Sequence, residues 1–112
     1  MRFDWLSPLP PVRSGIADYS VDLLPHLIAR GDVRLVAPPD LPTGADIVER
    51  FAPAPFSELG AAGRIPLYQM GNNEYHLSVR KAALRLPGVM VLHDVVLHHQ
   101  LLGRTAGIGD LE

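Results

Sequence analysis

The sequence predicts an α/β fold in which helices flank a parallel sheet. Short segments with strand character alternate with segments whose apolar residues recur at helical spacing. The 11 prolines and 10 glycines fall mostly between these segments and mark their ends. Such alternation favours parallel strands joined by right-handed crossovers. The length of 112 residues fits one domain, which we assign to residues 1–112.

The first third of the chain predicts a strand, a helix and a second strand. Residues 2–6 (RFDWL) form the first strand, which ends at the proline-rich segment SPLPP. The helix begins after Ser14 as its N-cap, carries Asp18 in its first turn and ends at Gly31. Residues 32–39 (DVRLVAPP) form the second strand. The predicted buried face of the helix consists of Ile16, Tyr19, Leu23, Leu24, Leu27 and Ile28.

The rest of the chain predicts two further strands with a helix between them. Residues 66–71 (PLYQMG) form a third strand, and the helix after it ends at Pro87. Residues 89–94 (VMVLHD) are almost wholly apolar, so we expect a strand that is covered on both faces. The pattern is weakest across residues 40–66, where we expect a short strand near 48–52 and a helical turn around 56–61.

Composition excludes several classes of function. The net charge is −2 and no basic stripe is visible, so we expect no nucleic-acid partner. The absence of cysteine excludes disulfides, thiolate zinc sites and a thiol nucleophile. Asp4 interrupts the apolar segment that a signal peptide needs, and no run approaches the roughly 18 apolar residues of a membrane span. We expect a cytoplasmic protein, and the sequence leaves contact with the inner membrane surface open.

Three polar segments, each at the end of a strand or the start of a helix, lie at the predicted carboxyl edge of the sheet. They are residues 13–15, residues 71–73 and residues 93–94. Ligands of parallel sheets bind outside the carboxyl ends of the strands. We therefore expect these segments to line a single crevice, which is the candidate site.

The segment RSGIADYS leads directly into a helix N-terminus, where free amides and the helix dipole favour a phosphate or carboxylate. The structural alternative is that Gly15 only permits a tight turn. The segment lacks two of the three glycines of the dinucleotide fingerprint, which disfavours a nicotinamide enzyme. In QMGNNEYH, the side chains of Asn72 and Asn73 suit a hydroxyl-rich ligand, or one of them caps the next helix.

The segment HDVVLHH offers either substrate contacts, satisfied polar histidines or a metal site. His93, Asp94 and His98 could together bind zinc, but His98 and His99 are about 100° apart on a helix and cannot share one ion there. We expect no metal. His93 is the best functional candidate because it ends a strand at the ligand edge, and no serine lies on a strand-to-helix elbow that would predict a catalytic triad.

Three blocks of sequence occur in the order WLSPLPPVRSGIADYS, YQMGNNEYH and VMVLHDVVLHHQLL. Together they resemble the N-terminal domain of group 1 glycosyltransferases, which are the retaining, nucleotide-sugar-dependent enzymes of family 4 with the GT-B fold. The likeness covers residues 3–104 and is weak across 37–66. It implies a Rossmann-like parallel sheet with flanking helices, as the acceptor-side half of a two-domain enzyme.

The resemblance also implies roles for individual residues. Gly15, with Ser14 beside it, would approach the donor diphosphate, and Arg13 would steady developing phosphate charge. His93 matches the family histidine that reaches the donor sugar near the reacting carbon, which makes it the catalytic candidate. The nucleotide sugar is a co-substrate, so no cofactor is implied. The residues that would line the acceptor side are Asn72, Asn73, Tyr75 and Asp94.

The chemistry of retaining transfer agrees with these residue types. Helix N-terminal amides and a positioned histidine can stabilise a leaving diphosphate and a cationic sugar without a protein nucleophile. A glycosidase would usually need two carboxylates, and this crevice offers only Asp94. A non-catalytic sugar- or phosphate-binding module that uses the same crevice is the alternative from a different class.

The family has a second domain that binds the nucleotide sugar, whereas this sequence stops at Glu112 within the first. We therefore expect the chain alone to be inactive, with the C-terminal donor domain and the hydroxyl acceptor as partners in a longer enzyme. An uncovered sheet edge and apolar cleft surface would favour self-association of the separate chain.

Overall fold

A computed structural model describes residues 1–71 and 74–93 of the chain. Its four strands form one parallel sheet in the order β2-β1-β3-β4. Helices flank the sheet, so the predicted α/β class with a parallel sheet is confirmed, and the arrangement is consistent with a Rossmann-like fold. The strands are β1 (Arg2–Leu6), β2 (Asp32–Val36), β3 (Ile65–Met70) and β4 (Val89–Leu92).

Three α-helices connect these strands, namely α1 (Gly15–Ile28), α2 (Ala45–Phe51) and α3 (Leu77–Arg85). The predicted helical turn around 56–61 is confirmed as a 3₁₀ turn at Phe56–Glu58, and a further turn at Glu74–His76 precedes α3. Within the described part of the chain, no helix is both long enough and apolar enough to cross a bilayer.

The predicted short strand near 48–52 is wrong, because this segment belongs to α2. Ile47 and Phe51 are four residues apart and therefore share one helix face. Ile47 is buried and Phe51 packs against the same core cluster, so tertiary contact stabilises a helix of only seven residues.

The sheet has an apolar core on each face because successive strand residues point to opposite sides. The face covered by α1 and α2 holds Trp5, Leu9, Leu24, Leu35 and Ile47. The face covered by α3 holds Leu6, Val36, Tyr68, Met70, Val79 and Ala82.

The buried face of α1 differs from the prediction. Leu24 is buried as predicted, but Tyr19 and Ile28 are 40% and 42% exposed, and Ala17 and Ser20 are buried instead. The small side chains of Ala17 and Ser20 let the helix lie close to the sheet, and this leaves Tyr19 at the rim.

The expectation that both faces of the last strand are covered is also wrong. Val89 and Leu92 of β4 are about half exposed, at 50% and 53%, and Met90 is 41% exposed. Among the described residues β4 pairs only with β3, so it is the edge strand of that part of the sheet. Strand composition alone did not distinguish an edge strand from a central one.

A buried carboxylate joins the middle of β1 and of β2 to the segment before β3. Asp4 is fully buried and accepts two hydrogen bonds from Arg34, at 2.9 and 3.0 Å, and one from Arg64 at 2.6 Å. The backbone N–H of Gly60 donates a fourth at 2.8 Å. Burial alone would raise the pKa of Asp4, but the hydrogen bonds from Arg34, Gly60 and Arg64 outweigh it and hold the pKa below its usual value.

Candidate functional site

Three chain segments meet at the carboxyl edge of the sheet, on the face covered by α1. Gly71, directly after β3, lies against the first turn of α1, since a Cβ on Gly71 would be 2.5 Å from Ile16 Cδ1. His93, directly after β4, packs its ring edge-on against Tyr19 with the ring centroids 5.0 Å apart. Its backbone N–H donates to the carbonyl of Met70 at 2.9 Å. The start of α1 and the ends of β3 and β4 therefore border one place.

A chain of buried hydrogen bonds fixes α1 in this position. The indole N–H of Trp5 donates to Ser20 Oγ at 2.9 Å, and the Ser20 hydroxyl donates to Ser7 Oγ at 2.8 Å. The Ser7 hydroxyl in turn donates to the carbonyl of Pro8 at 2.8 Å. Each hydroxyl donates one bond and accepts another, so this network is fully satisfied and joins the helix to the end of β1.

The N-terminus of α1 is capped as the sequence predicts. Ser14 has an extended backbone, and its Oγ accepts from the N–H of Ile16 at 3.2 Å. The N–H of Gly15 has no hydrogen-bond partner among the described residues. Arg13 is exposed and forms no ion pair within the described parts of the chain.

Gly15 is not explained by the needs of the fold. Its φ lies outside the left-handed region, so the alternative that it permits a strained turn does not account for it. Apart from its chain neighbours and the backbone of its own helix, no atom of the described residues lies within 4 Å of where its Cβ would be, and the residue is exposed. The missing side chain leaves the first turn of α1 open to a ligand.

Gln69 supports the imidazole of His93, and the sequence analysis missed it. Gln69 is fully buried on β3, and its Oε1 lies 3.0 Å from His93 Nε2. Its amide nitrogen has no partner within residues 1–71 and 74–93. The signal was available, because Gln69 is the single amide within an otherwise apolar strand that ends beside the site.

A second histidine is bonded to the backbone of the same strand. His76 is fully buried, and its Nδ1 lies 3.0 Å from the carbonyl oxygen of Gln69. Tyr75 is half-buried in the 3₁₀ turn before α3. His76 therefore fixes the segment that follows Gly71 against the end of β3.

The remaining predicted site residues lie outside the described residues. They are Asn72, Asn73 and Asp94, together with His98 of the metal alternative. Within residues 1–71 and 74–93, no group of three histidine, aspartate or glutamate side chains is placed to hold a metal ion. The described part of the site is thus an open helix N-terminus, a histidine held by a buried amide, and an exposed tyrosine ring between them.

Replacing Gly71 with alanine is expected to lower the free energy of unfolding by about 1–3 kcal/mol. The new Cβ would lie 2.5 Å from Ile16 Cδ1 and 2.6 Å from His76 Nε2, so the Ile16 side chain and the buried imidazole of His76 must shift. Gly15→Ala is the matched control, because its Cβ meets open space, and its stability should change by less than about 1 kcal/mol. Urea unfolding of both variants measures this, and equal stabilities would contradict the close approach.

Comparison of the chain with known proteins finds no matching family model, no similar curated protein and no similar solved structure. A function is therefore proposed from the fold, the geometry around His93 and the resemblance of the three sequence blocks.

Proposed function

We propose that this chain is the N-terminal, acceptor-side domain of a retaining glycosyltransferase with the GT-B fold. The full enzyme moves a sugar from a nucleotide-sugar donor to an acceptor hydroxyl in the cytoplasm. The observation that carries the proposal is the meeting of the open N-terminus of α1 with His93 at one sheet edge, through Tyr19. The resemblance of three sequence blocks to group 1 glycosyltransferases supplies the reaction class.

The N-terminus of α1 is the proposed contact for the donor diphosphate. The free N–H of Gly15 and the dipole of a 14-residue helix favour negative charge there. The absence of a side chain at Gly15 lets phosphate oxygens approach the backbone. Arg13, exposed beside this turn, adds a positive charge. These groups stabilise the diphosphate as it accepts negative charge on leaving.

His93 is the proposed catalytic residue. One ring nitrogen is held by Gln69 and one edge of the ring rests on Tyr19, so the imidazole has a fixed orientation. The other ring nitrogen, Nδ1, is not engaged by Gln69, and it is the group we assign to the donor sugar. A polar group fixed before the reaction stabilises developing charge without reorganisation during the chemical step.

Transfer then proceeds in one step on one face of the sugar. The bond between the anomeric carbon and the diphosphate oxygen breaks, and the electron pair leaves with the nucleoside diphosphate. The acceptor oxygen forms a bond to the same carbon from the same face, and its proton passes to the departing phosphate oxygen. This step requires a second domain to hold the nucleotide sugar, and the acceptor would lie near Asn72, Asn73, Tyr75 and Asp94.

Gln69→Leu is expected to release the imidazole of His93 while keeping the size of the buried side chain. With the amide present, one ring nitrogen is engaged and a single tautomer dominates, whereas the variant should populate both tautomers. Long-range ¹H–¹⁵N spectra of the imidazoles in alkaline buffer measure this change. His26, exposed on α1, is the internal control and should keep its signals. An unchanged His93 spectrum would show that Gln69 does not hold the ring.

A transfer assay tests the proposal as a whole. The protein in which this domain is joined to a donor-binding domain is incubated with a panel of nucleotide sugars and hydroxyl acceptors, and the product is examined by NMR. A glycoside with the anomeric configuration of the donor is expected. Binding of sugars or phosphates at the Ser14–Gly15 turn without any product would instead favour the non-catalytic binding module.

A further inference from the structure

A cavity lies on the opposite face of the sheet from His93. It has a volume of about 250 Å³ and is bordered by α3, by the segment after β2 and by the turn at Phe56. This volume is slightly below the roughly 300–1,000 Å³ of sites for drug-sized ligands, so it suits a small molecule. The residues that line it are Pro39, Asp40, Phe56, Ser78, Lys81, Ala82 and Arg85.

Two cations on α3 give this cavity a positive wall. Lys81 and Arg85 are four residues apart and therefore lie on one helix face, roughly 6 Å from each other at their Cβ atoms. Within the described residues, neither forms an ion pair with a carboxylate. Asp40 is the single acid among the lining residues, so the two cations outnumber it. The wall can therefore receive an anion.

A buried hydroxyl without a partner lies on the same wall. Ser78 precedes Lys81 by one helical turn and is only 7% exposed. Its Oγ has no hydrogen-bond partner among the described residues, although a buried hydroxyl normally has one. The oxygen itself is shielded from solvent, so an oxygen-rich ligand in the cavity would satisfy it once the side chain rotates toward the cavity. This unsatisfied group is evidence for a ligand that is independent of the surface charges.

The rest of the lining is apolar. The half-buried ring of Phe56, the methyl group of Ala82 and Pro39 line the cavity together with the cationic wall. A free inorganic ion would leave this surface uncovered, whereas a compound with a carbon body would cover it and gain hydrophobic contact. The cavity thus combines an anion-binding wall with an apolar floor.

From these features we propose that the α3 cavity binds a small organic phosphate. Lys81 and Arg85 pair with the phosphate oxygens, and Ser78 donates its hydroxyl proton to a third oxygen. A phosphate has enough acceptors for all three groups and carries a larger negative charge than a carboxylate. The carbon body lies against Phe56 and Ala82. This site is separate from the Ser14–Gly15 turn, and its existence does not depend on the proposed transferase activity.

Titration of the ¹⁵N-labelled chain with phenyl phosphate tests this proposal. Saturable shifts of amide signals are expected at Phe56, Ser78, Lys81 and Arg85. Phenyl phosphate should bind at least tenfold more tightly than inorganic phosphate or phenol, since inorganic phosphate lacks the apolar ring and phenol lacks the phosphate group. Equal affinity for either of them, or shifts confined to Ser14–Ile16, would overturn the proposal.

Two double variants identify the groups responsible. Lys81→Gln with Arg85→Gln should weaken phenyl phosphate binding at least tenfold. Arg30→Gln with Arg50→Gln removes the same net charge from the turn after α1 and from α2, away from the lining residues, and should leave the affinity within about twofold. Ser78→Ala should weaken binding severalfold, while the dispersion of its amide signals shows that the variant remains folded. Equal affinities in the two double variants would show that binding reflects net charge alone.

Discussion

Replacing His93 with alanine is expected to lower the rate of sugar transfer about 10²- to 10³-fold in the enzyme that contains this domain. The substitution removes the group assigned to the donor sugar and leaves the buried side chain of Gln69 in place. His93 is exposed, so the effect should appear in the rate of the chemical step rather than in the stability of the fold. Steady-state kinetics with thermal unfolding of the same sample separate the two effects.

His26→Ala is the matched control for this experiment. His26 is an exposed histidine in the last turn of α1, and it has no contact with the His93 site among the described residues. Its substitution should leave turnover within about twofold of the unsubstituted enzyme. Equal losses of activity in the two variants would mean that another residue, rather than His93, carries the catalytic role.

Replacing Asp4 with alanine is expected to cause the largest loss of stability, about 3 kcal/mol of the free energy of unfolding. Removing one partner of a buried ion pair costs roughly 3–5 kcal/mol because the remaining charge stays buried. The lower end applies here, since Arg34 is 27% exposed and can hydrate once the carboxylate is gone. Arg64, at 9% exposed, has less access to water. Urea unfolding at pH 7 measures the loss, and Asp22→Ala on the exposed side of α1 should change stability by less than about 0.5 kcal/mol.

The same carboxylate predicts a pH dependence. The folded-state pKa of Asp4 is lower than its ordinary value of 3.8, so the folded state holds the charged form more tightly than the unfolded state does. The contribution of Asp4 to the free energy of unfolding is complete above pH 3.8 and is lost as the pH falls toward the folded-state pKa. Asp4→Asn should therefore lose less stability than the unsubstituted chain between pH 5 and pH 2. Parallel curves of unfolding free energy against pH for the two proteins would show that Asp4 is not responsible for the loss.

The local signals in the sequence were sufficient for most elements of the fold. Ser14 before an apolar helical pattern predicted the N-cap, which is present, and the proline and glycine boundaries predicted four strands. The segment at 45–51 was misassigned because two apolar residues, Ile47 and Phe51, do not distinguish a short helix from a strand. Their burial against other parts of the chain decides the outcome, and local pattern does not contain that information.

Long-range polar contacts were the part that sequence reasoning could not supply. Asp4 pairs with arginines 30 and 60 residues away, and Gln69 reaches His93 across 24 residues. Tyr19 fits the helical apolar pattern, yet it stands at the rim and contacts His93. Each of these contacts depends on strand order, β2-β1-β3-β4, which the alternation of strands and helices leaves open.

The central claim is that the first turn of α1 and the ends of β3 and β4 form a single polar edge around His93. Proton–proton distances from NOE spectra of the labelled chain test it most directly. The account predicts contacts between the rings of Tyr19 and His93, and between the Ile16 δ-methyl group and the α-protons of Gly71. A His93 ring with strong contacts to other residues and none to Tyr19 would contradict the account.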